Sequence, residues 1–252
     1  MQEIPEKNIV AIYSTLFQAW GRQHWWPAQS RFEVIVGAFL TQNTSWSNVE
    51  IAMRQLRAAR VLTVKGIREI PQRQLEKLIR SSGYFRQKAA RLKTFVNFLD
   101  KNYDGSLTKM LAQPTSQLRE QLLALNGVGP ETADSILLYA GQHPVFVIDA
   151  YTRRIAARHD IGSEKAGYEE LRAVFERALT SATTFTGSAG SQGMASHSPS
   201  RMSLASRSPL AQVFNEMHGL IVSVGKQYCL KSNPRCSECP VKHLLPTNSA
   251  LL

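Results

Sequence analysis

Apolar residues recur at intervals of three and four along almost the whole chain: Ile9, Ile12, Leu16; Val34, Ile35, Ala38, Phe39; Ile51, Met53, Leu56; Leu75, Leu78, Ile79; Leu118, Leu122, Leu125; Ile136, Leu137, Tyr139, Ala140. This spacing puts an apolar stripe on one face of an α-helix, and no convincing period-two pattern competes with it. Short interruptions at Lys65-Gly66, Ser81-Ser82-Gly83 and Asn126-Gly127-Val128-Gly129 divide the pattern into segments of roughly 10 to 15 residues. The expected fold is therefore all-α. With 252 residues, 43% of them hydrophobic, the chain is long enough to bury a core in one large domain or two smaller ones.

Lys and Arg number 30 against 19 Asp and Glu, a formal charge of +11. Such an excess selects polyanionic partners, nucleic acid before an anionic membrane surface. No apolar run approaches the ~20 residues a membrane helix needs, and Met1 to Lys7 is polar rather than signal-like. An intracellular, cytoplasmic protein is expected, monomeric and with no membrane partner. One stretch, 180–209, is rich in Ser, Gly, Ala and Thr and lacks periodic hydrophobicity, so it is expected to be a disordered surface insertion. The three cysteines all fall within eleven residues, Cys229 to Cys239, which suits a metal site better than a disulfide framework.

Two further segments carry chemistry. In Leu125-Asn126-Gly127-Val128-Gly129-Pro130-Glu131-Thr132-Ala133, the glycines allow a tight turn and Pro130 suits the first position of a helix. Backbone N–H groups left bare at such a turn can hold a phosphate without reading sequence. Downstream, the apolar run Pro144-Val145-Phe146-Val147-Ile148 ends in Asp149, before Ala150 to Arg158. Asp149 has the position of a helix N-cap, and a carboxylate fixed there can also stabilise a sugar cation or activate a water. Arg153, Arg154 and Arg158 follow as phosphate ligands or as a solvated helix face.

Together the hairpin, from Leu125 to Ala133, and Val147-Ile148-Asp149 resemble the endonuclease III branch of the helix-hairpin-helix DNA glycosylases, over about Phe32 to Cys239 without the Ser-rich stretch. The resemblance implies a two-lobed all-α fold. A six-helix barrel would occupy 28–141, with the hairpin motif at 116–140. A discontinuous second domain would comprise 1–27 and 142–245, with a degenerate cysteine loop at 229–245, and duplex DNA with a flipped base would lie across the cleft. Asp149 is then the catalytic aspartate. Gln42, in Leu40-Thr41-Gln42-Asn43-Thr44, matches the residue that fills the gap left by the flipped nucleotide. Gln42, Asn43, Gly127, Val128, Gly129, Thr132 and Arg153 would contact DNA. Bifunctional members carry a lysine two residues after the second hairpin glycine, where this chain has Glu131. A carboxylate cannot form a Schiff base, so the resemblance implies a monofunctional enzyme.

Glu131, Trp25-Trp26-Pro27, Trp46 after Thr41-Gln42-Asn43-Thr44, and His218-Gly219 followed by Gly225-Lys226-Gln227 resemble the 3-methyladenine glycosylases of the endonuclease III type. The implied base pocket is Trp25, Trp26, Trp46 and Lys226, suited to a cationic alkylated purine through stacking and cation-π attraction. The spacing Cys-x6-Cys-x2-Cys at Cys229, Cys236 and Cys239 reproduces three ligands of the endonuclease III iron-sulfur loop, but the fourth position is Leu245. The readings are no cluster, a [4Fe-4S] cluster with a substitute ligand, or zinc with His243 as the fourth donor. No cofactor is required for the expected chemistry, and a structural monovalent cation at the hairpin is a further group the resemblance allows. Two other functions stay open: a bifunctional glycosylase/AP lyase acting on oxidised pyrimidines, and a helix-hairpin-helix DNA-binding module without chemistry.

Overall fold

A computed structural model describes residues 4–181 and 197–247. Among these residues every regular element is helical. The centre of the stretch read as a disordered insertion, 182–196, lies outside the described residues. The described part from 197 onward does not run free: Ser200 and Met202 are buried, and Ser200 Oγ donates to the Trp26 carbonyl at 3.2 Å. Contacts divide the chain into two compact units, Ala28–His143 and the combination of Met1–Pro27 with Pro144–Leu252.

The first unit is built around α2 (Arg31–Thr41), whose residues Phe32 to Leu40 are all buried. Ser30 caps it by accepting from Glu33 N at 3.2 Å, and the Glu33 carboxylate reaches back to Gln29 N at 2.7 Å. Around it stand α3 (Trp46–Ala58), α4 (Val64–Glu69), α5 (Gln72–Leu78), α6 (Phe85–Tyr103), α7 (Leu107–Leu111), α8 (Thr115–Leu123) and α9 (Pro130–Ser135). The last continues as a wide, π-type turn over Ile136–Ala140, fully buried against α2. The end of α2 is fastened by Lys88 of α6. Its ammonium, 1% exposed as a residue, donates to the carbonyls of Leu40 at 2.8 Å and Ser82 at 2.6 Å. Burial, and after it the neighbouring Arg91 charge, push that amine down to about 8.

The second unit packs α1 (Ile4–Trp20), α10 (Ala150–Arg158), α11 (Tyr168–Ser181) and α12 (Pro209–Gln227) on one another. The segment Val145 to Ile148 is buried without being helical. Its backbone donors find side chains instead of strand partners: Phe146 N reaches Glu176 Oε1 at 2.9 Å and Ile148 N reaches the Tyr168 hydroxyl at 3.3 Å. Phe146 stacks on Phe175 of α11, ring centroids 4.9 Å apart. The acid that follows is therefore delivered from a rigid approach.

Helices α10 and α12 meet where Gly225 lies against the Tyr151 ring, and a methyl group at 225 would overlap Tyr151 Cβ, Cγ and Cδ1. These atoms lie near the backbone end of the side chain and cannot swing away. Gly225→Ala is expected to cost about 1 to 3 kcal/mol of stability by overpacking; the urea unfolding midpoint measures it, and a midpoint equal to that of the wild type would show the two helices to be loosely packed.

Candidate active site

Asp149 is the N-cap of α10, with an extended backbone at φ −99 and ψ −176. Its Oδ1 accepts from Thr152 N at 2.7 Å and from Thr152 Oγ1 at 2.9 Å. Both bonds come from the residue that any N-cap would use, and they fix the carboxylate's orientation. The second oxygen, Oδ2, lies 3.7 Å from His218 Nε2, and the Asp149 side chain keeps 14% of its surface exposed. His218, on α12, has its ring centroid 6.0 Å from that of Trp25 and 6.2 Å from that of Phe146. Burial pushes its imidazole below its ordinary value, with the Asp149 charge opposing that shift.

Trp25 lies along the same helix. Asn215 Nδ2 donates to its carbonyl at 2.7 Å, a Cβ on Gly219 would stand 3.0 Å from Trp25 Cβ, and Lys226 Nζ is 5.9 Å from its ring centroid. One face of α12 thus carries Asn215, His218, Gly219 and Lys226 past one indole. The loop leading into Trp25 is tied to α12 as well. Gln23 N donates to Glu216 Oε2 at 3.0 Å, and Gln23 Oε1 accepts from Ser223 Oγ at 2.9 Å. Trp26 is buried with its ring edge-on to Trp25, centroids 5.5 Å apart, and the His197 ring lies 5.3 Å from Trp25. The site therefore joins the sequence-predicted Asp149, Trp25, Trp26 and Lys226 within one unit. Trp46 belongs to the other unit, at the start of α3, half-buried, with Nε1 on Glu50 Oε1 at 2.9 Å.

The hairpin between α8 and α9 has Gly127 at φ +80, where an L side chain would be strained. Gly129 is extended and caps α9, and a Cβ there would meet nothing within 4 Å. Open space in front of a helix start is what an anion requires. Gln42 is bound to this hairpin rather than free: Nε2 donates to Gly127 O and Thr132 Oγ1, both at 2.9 Å, while Oε1 accepts from Arg91 at 2.5 Å. Asn43 is exposed in a left-handed conformation, Val128 is buried, and Glu131 is exposed in the first turn of α9. Behind the hairpin, Arg119 holds the fully buried Asp134 in a two-pronged pair at 2.7 and 3.2 Å.

The arginines of α10 face protein atoms. Arg153 donates to the Ala166 carbonyl at 2.8 Å, Arg154 to Cys229 O at 2.6 Å and Gly225 O at 3.2 Å, and Arg158 to Leu230 O at 2.9 Å and Cys229 Sγ at 3.1 Å. Sequence reasoning missed this bracing, as it missed Arg91 and Thr152. A threonine three residues after a capping aspartate is a recognisable signal for Thr152; for Arg91 no local pattern exists.

Cys229, Cys236 and Cys239 line a cavity of about 20 Å³ together with Leu245 and Arg158. Burial raises the thiols of Cys236 and Cys239 above their ordinary value, and Cys229 adds to the effect at both. Three sulfurs, one already accepting from Arg158, and a leucine in the fourth place do not fit a four-thiolate cubane. His243 is exposed and does not line the cavity. Among the described residues no group of three or more His, Cys, Asp or Glu is arranged to hold a metal ion. At the hairpin, the carbonyls of Leu125, Gly127 and Gly129 each accept a hydrogen bond, from Val128 N, Gln42 Nε2 and Ala133 N.

Residues 36–180 match the model of the HhH-GPD superfamily of base excision DNA repair proteins. The chain is 39% identical over 244 residues to the protein MJ1434 of Methanocaldococcus jannaschii, whose name assigns it to the DNA repair glycosylases, covering 96% of this chain and 97% of that one. The crystal structure of Helicobacter pylori 3-methyladenine DNA glycosylase, bound to 1,N6-ethenoadenine, is similar with a TM-score of 0.70 and 30% identity, over 88% of this chain and 97% of that one. A trapped endonuclease III–DNA covalent intermediate shares the fold with a TM-score of 0.70 at 19% identity, over 95% of each chain. The helical fold and the family match thus define a helix-hairpin-helix DNA N-glycosylase. The chain belongs to the HhH-GPD superfamily and is a DNA repair glycosylase. Among the described residues, no helix is long and apolar enough to cross a membrane.

Burial also sets a pH dependence. It depresses His143, His159 and His218 below the ordinary histidine value near 6.5, so the unfolded chain binds protons that the folded chain refuses. Stability contributed in this way is present above that value and is lost as pH falls through it toward the lower folded values. The urea midpoint is expected to fall from pH 7.5 to 5.5, more steeply in the wild type than in His159→Gln, which lacks one of the three depressed imidazoles, while the raised buried carboxyl of Glu216 opposes the trend equally in both. Equal slopes in the two proteins would remove His159 from the account.

Proposed function

We propose that this glycosylase hydrolyses the N-glycosidic bond of an alkylated purine of the 3-methyladenine type in duplex DNA, and that it leaves an abasic site without cutting the strand. The observation that carries the reading is the grouping of Asp149, His218, Trp25 and Lys226 in one unit. The His197 ring lies tilted beside Trp25, centroids 5.3 Å apart, and supports aromatic contact as the means of holding a flat heterocycle. A purine alkylated at N3 or N7 is such a heterocycle and carries a positive charge, which the indole face attracts. Trp26 backs Trp25, Lys226 stands exposed at the rim, and Trp46 is a second ring proposed to contact the base.

In this reading the bond from C1′ to the base nitrogen breaks, its electron pair goes to the base, and the ring charge is neutralised. The leaving base then needs no proton. Positive charge develops on the sugar, and the Asp149 carboxylate, held at Oδ1 by Thr152, offsets it through Oδ2. Water adds to C1′ and gives its proton to that carboxylate. Protein groups and water suffice for these steps. The amides of Gly127 and Gly129 with Thr132 anchor a phosphate, the Val128 N–H already donating to Leu125 O at 3.1 Å, with Gln42 and Asn43 next to the extruded nucleotide. Arg153, with one N–H on Ala166, keeps further donors for the backbone. Glu131 supports hydrolysis over lyase chemistry because it offers no amine where bifunctional relatives carry their lysine.

Duplexes holding a single 7-methylguanine or a single thymine glycol test the reading. Free base is expected from the first alone, with strand scission only after hot alkali. Scission without alkali, trapped by borohydride, would instead mark a lyase. Asp149→Asn is expected to lower base release by a hundredfold or more, on the order expected for a lost general base, with DNA affinity unchanged. Trp25→Ala and Trp46→Ala should each lose about 1 to 3 kcal/mol of stacking, read as weaker binding of the alkylated duplex relative to an unmodified one. Identical discrimination in both variants would place the base elsewhere.

A further inference from the structure

We propose that Arg91 is a positioning residue that locks the Gln42 loop to the phosphate-anchoring hairpin, so that nucleotide extrusion and strand anchoring act through one rigid body. The proposal rests on the glycosylase reading above and adds to it the device that sets the loop's place. Arg91 lies on α6, three residues after Lys88, and the two side chains take hold of successive points of the same segment: Lys88 Nζ binds Leu40 O at 2.8 Å, and Arg91 binds Gln42 Oε1 at 2.5 Å. Gln42 passes the restraint on, since its amide nitrogen donates at 2.9 Å to both Gly127 O and Thr132 Oγ1. The chain of contacts runs from α6 through the loop into the hairpin and the first turn of α9.

The hairpin glycine is shaped to the same arginine. A Cβ on Gly127 would overlap Arg91 Nε, Cδ and Cζ, so Gly127 is required by the packed guanidinium as well as by its positive φ. A charge-assisted hydrogen bond to a half-buried amide is a stronger and more directional restraint than a neutral one. With both amide hydrogens and one oxygen lone pair of Gln42 engaged inside the protein, the side chain has little capacity left to read base edges. It serves as a strut whose position matters, which suits an enzyme that must act in any sequence context.

A residue that aids extrusion should matter while the lesion is paired and cease to matter once it is already unpaired. The test measures single-turnover release of 7-methylguanine placed opposite cytosine and opposite an abasic site, for the wild type, Arg91→Met, Arg91→Lys and Gly127→Ala, with melting temperatures recorded for each. Arg91→Met is expected to slow release from the paired duplex by about ten- to a hundredfold, the order expected for misplacement of a positioning group. It should release the unpaired lesion at close to the wild-type rate, and Arg91→Lys should recover part of the loss. Gly127→Ala displaces the guanidinium without removing its charge but also strains the phosphate anchor, so it should slow release from both duplexes and more from the paired one, which keeps the test open if Arg91→Met folds poorly. Wild-type rates for Arg91→Met and Gly127→Ala on the paired duplex would overturn the proposal alone, as would equal losses on both duplexes. Release from neither duplex by the wild type would overturn the substrate reading and the proposal with it.

Discussion

Thr152 gives two hydrogen bonds to one oxygen of Asp149, and the rest of the site is arranged about that fixed carboxylate. A capping interaction of this kind stabilises a helix by about 1 kcal/mol, yet here its main consequence is orientation. The acid arrives at the end of a buried, non-helical run whose backbone donors are held by Glu176 and Tyr168. The helix it begins is secured at its other end, where Arg154 and Arg158 grip the carbonyls of Cys229 and Leu230. With both flanks restrained, the carboxylate has few ways to relax toward solvent or toward a cation. In the proposed hydrolysis, preorganisation of this sort would let that charge favour the transition state over the ground state.

The cysteine loop belongs to the same restraint. Its sulfurs are too few for a cubane and its cavity is small, but arginine side chains from α10 hold its backbone in place. The loop is tied by guanidinium groups reaching from the helix that Asp149 begins. The loop and the carboxylate are thereby parts of one mechanical element.

Most helices were legible because their apolar residues keep helical spacing, and the hairpin was legible because Gly127, Gly129 and Pro130 each have a backbone reason to be there. Asp149 stood out as the one acid closing an apolar run. Long-range bonds left no trace in the sequence: Arg91 reaches Gln42 across 49 positions, and Arg154 reaches Cys229 across 75. Nor could local pattern reveal that Val145 to Ile148 would be satisfied by side chains, or that the turn over Ile136–Ala140 would widen. The Ser-rich stretch reads as featureless, although its described end buries Ser200 and Met202 and ties itself to Trp26. There a single methionine and a hydroxyl outweigh a composition that says little.

The crowding along α12 limits how such an enzyme can evolve. Gly219 has almost no clearance from Gln23 and Trp25, and Gly225 has none from Tyr151. The α12 face against Trp25 and Tyr151 is consequently incompressible, and bulk added there would push the indole and the acid-bearing helix at once. On the proposed reading, adaptation to a larger or differently charged lesion falls to the exposed Lys226 rather than to the packed helix face.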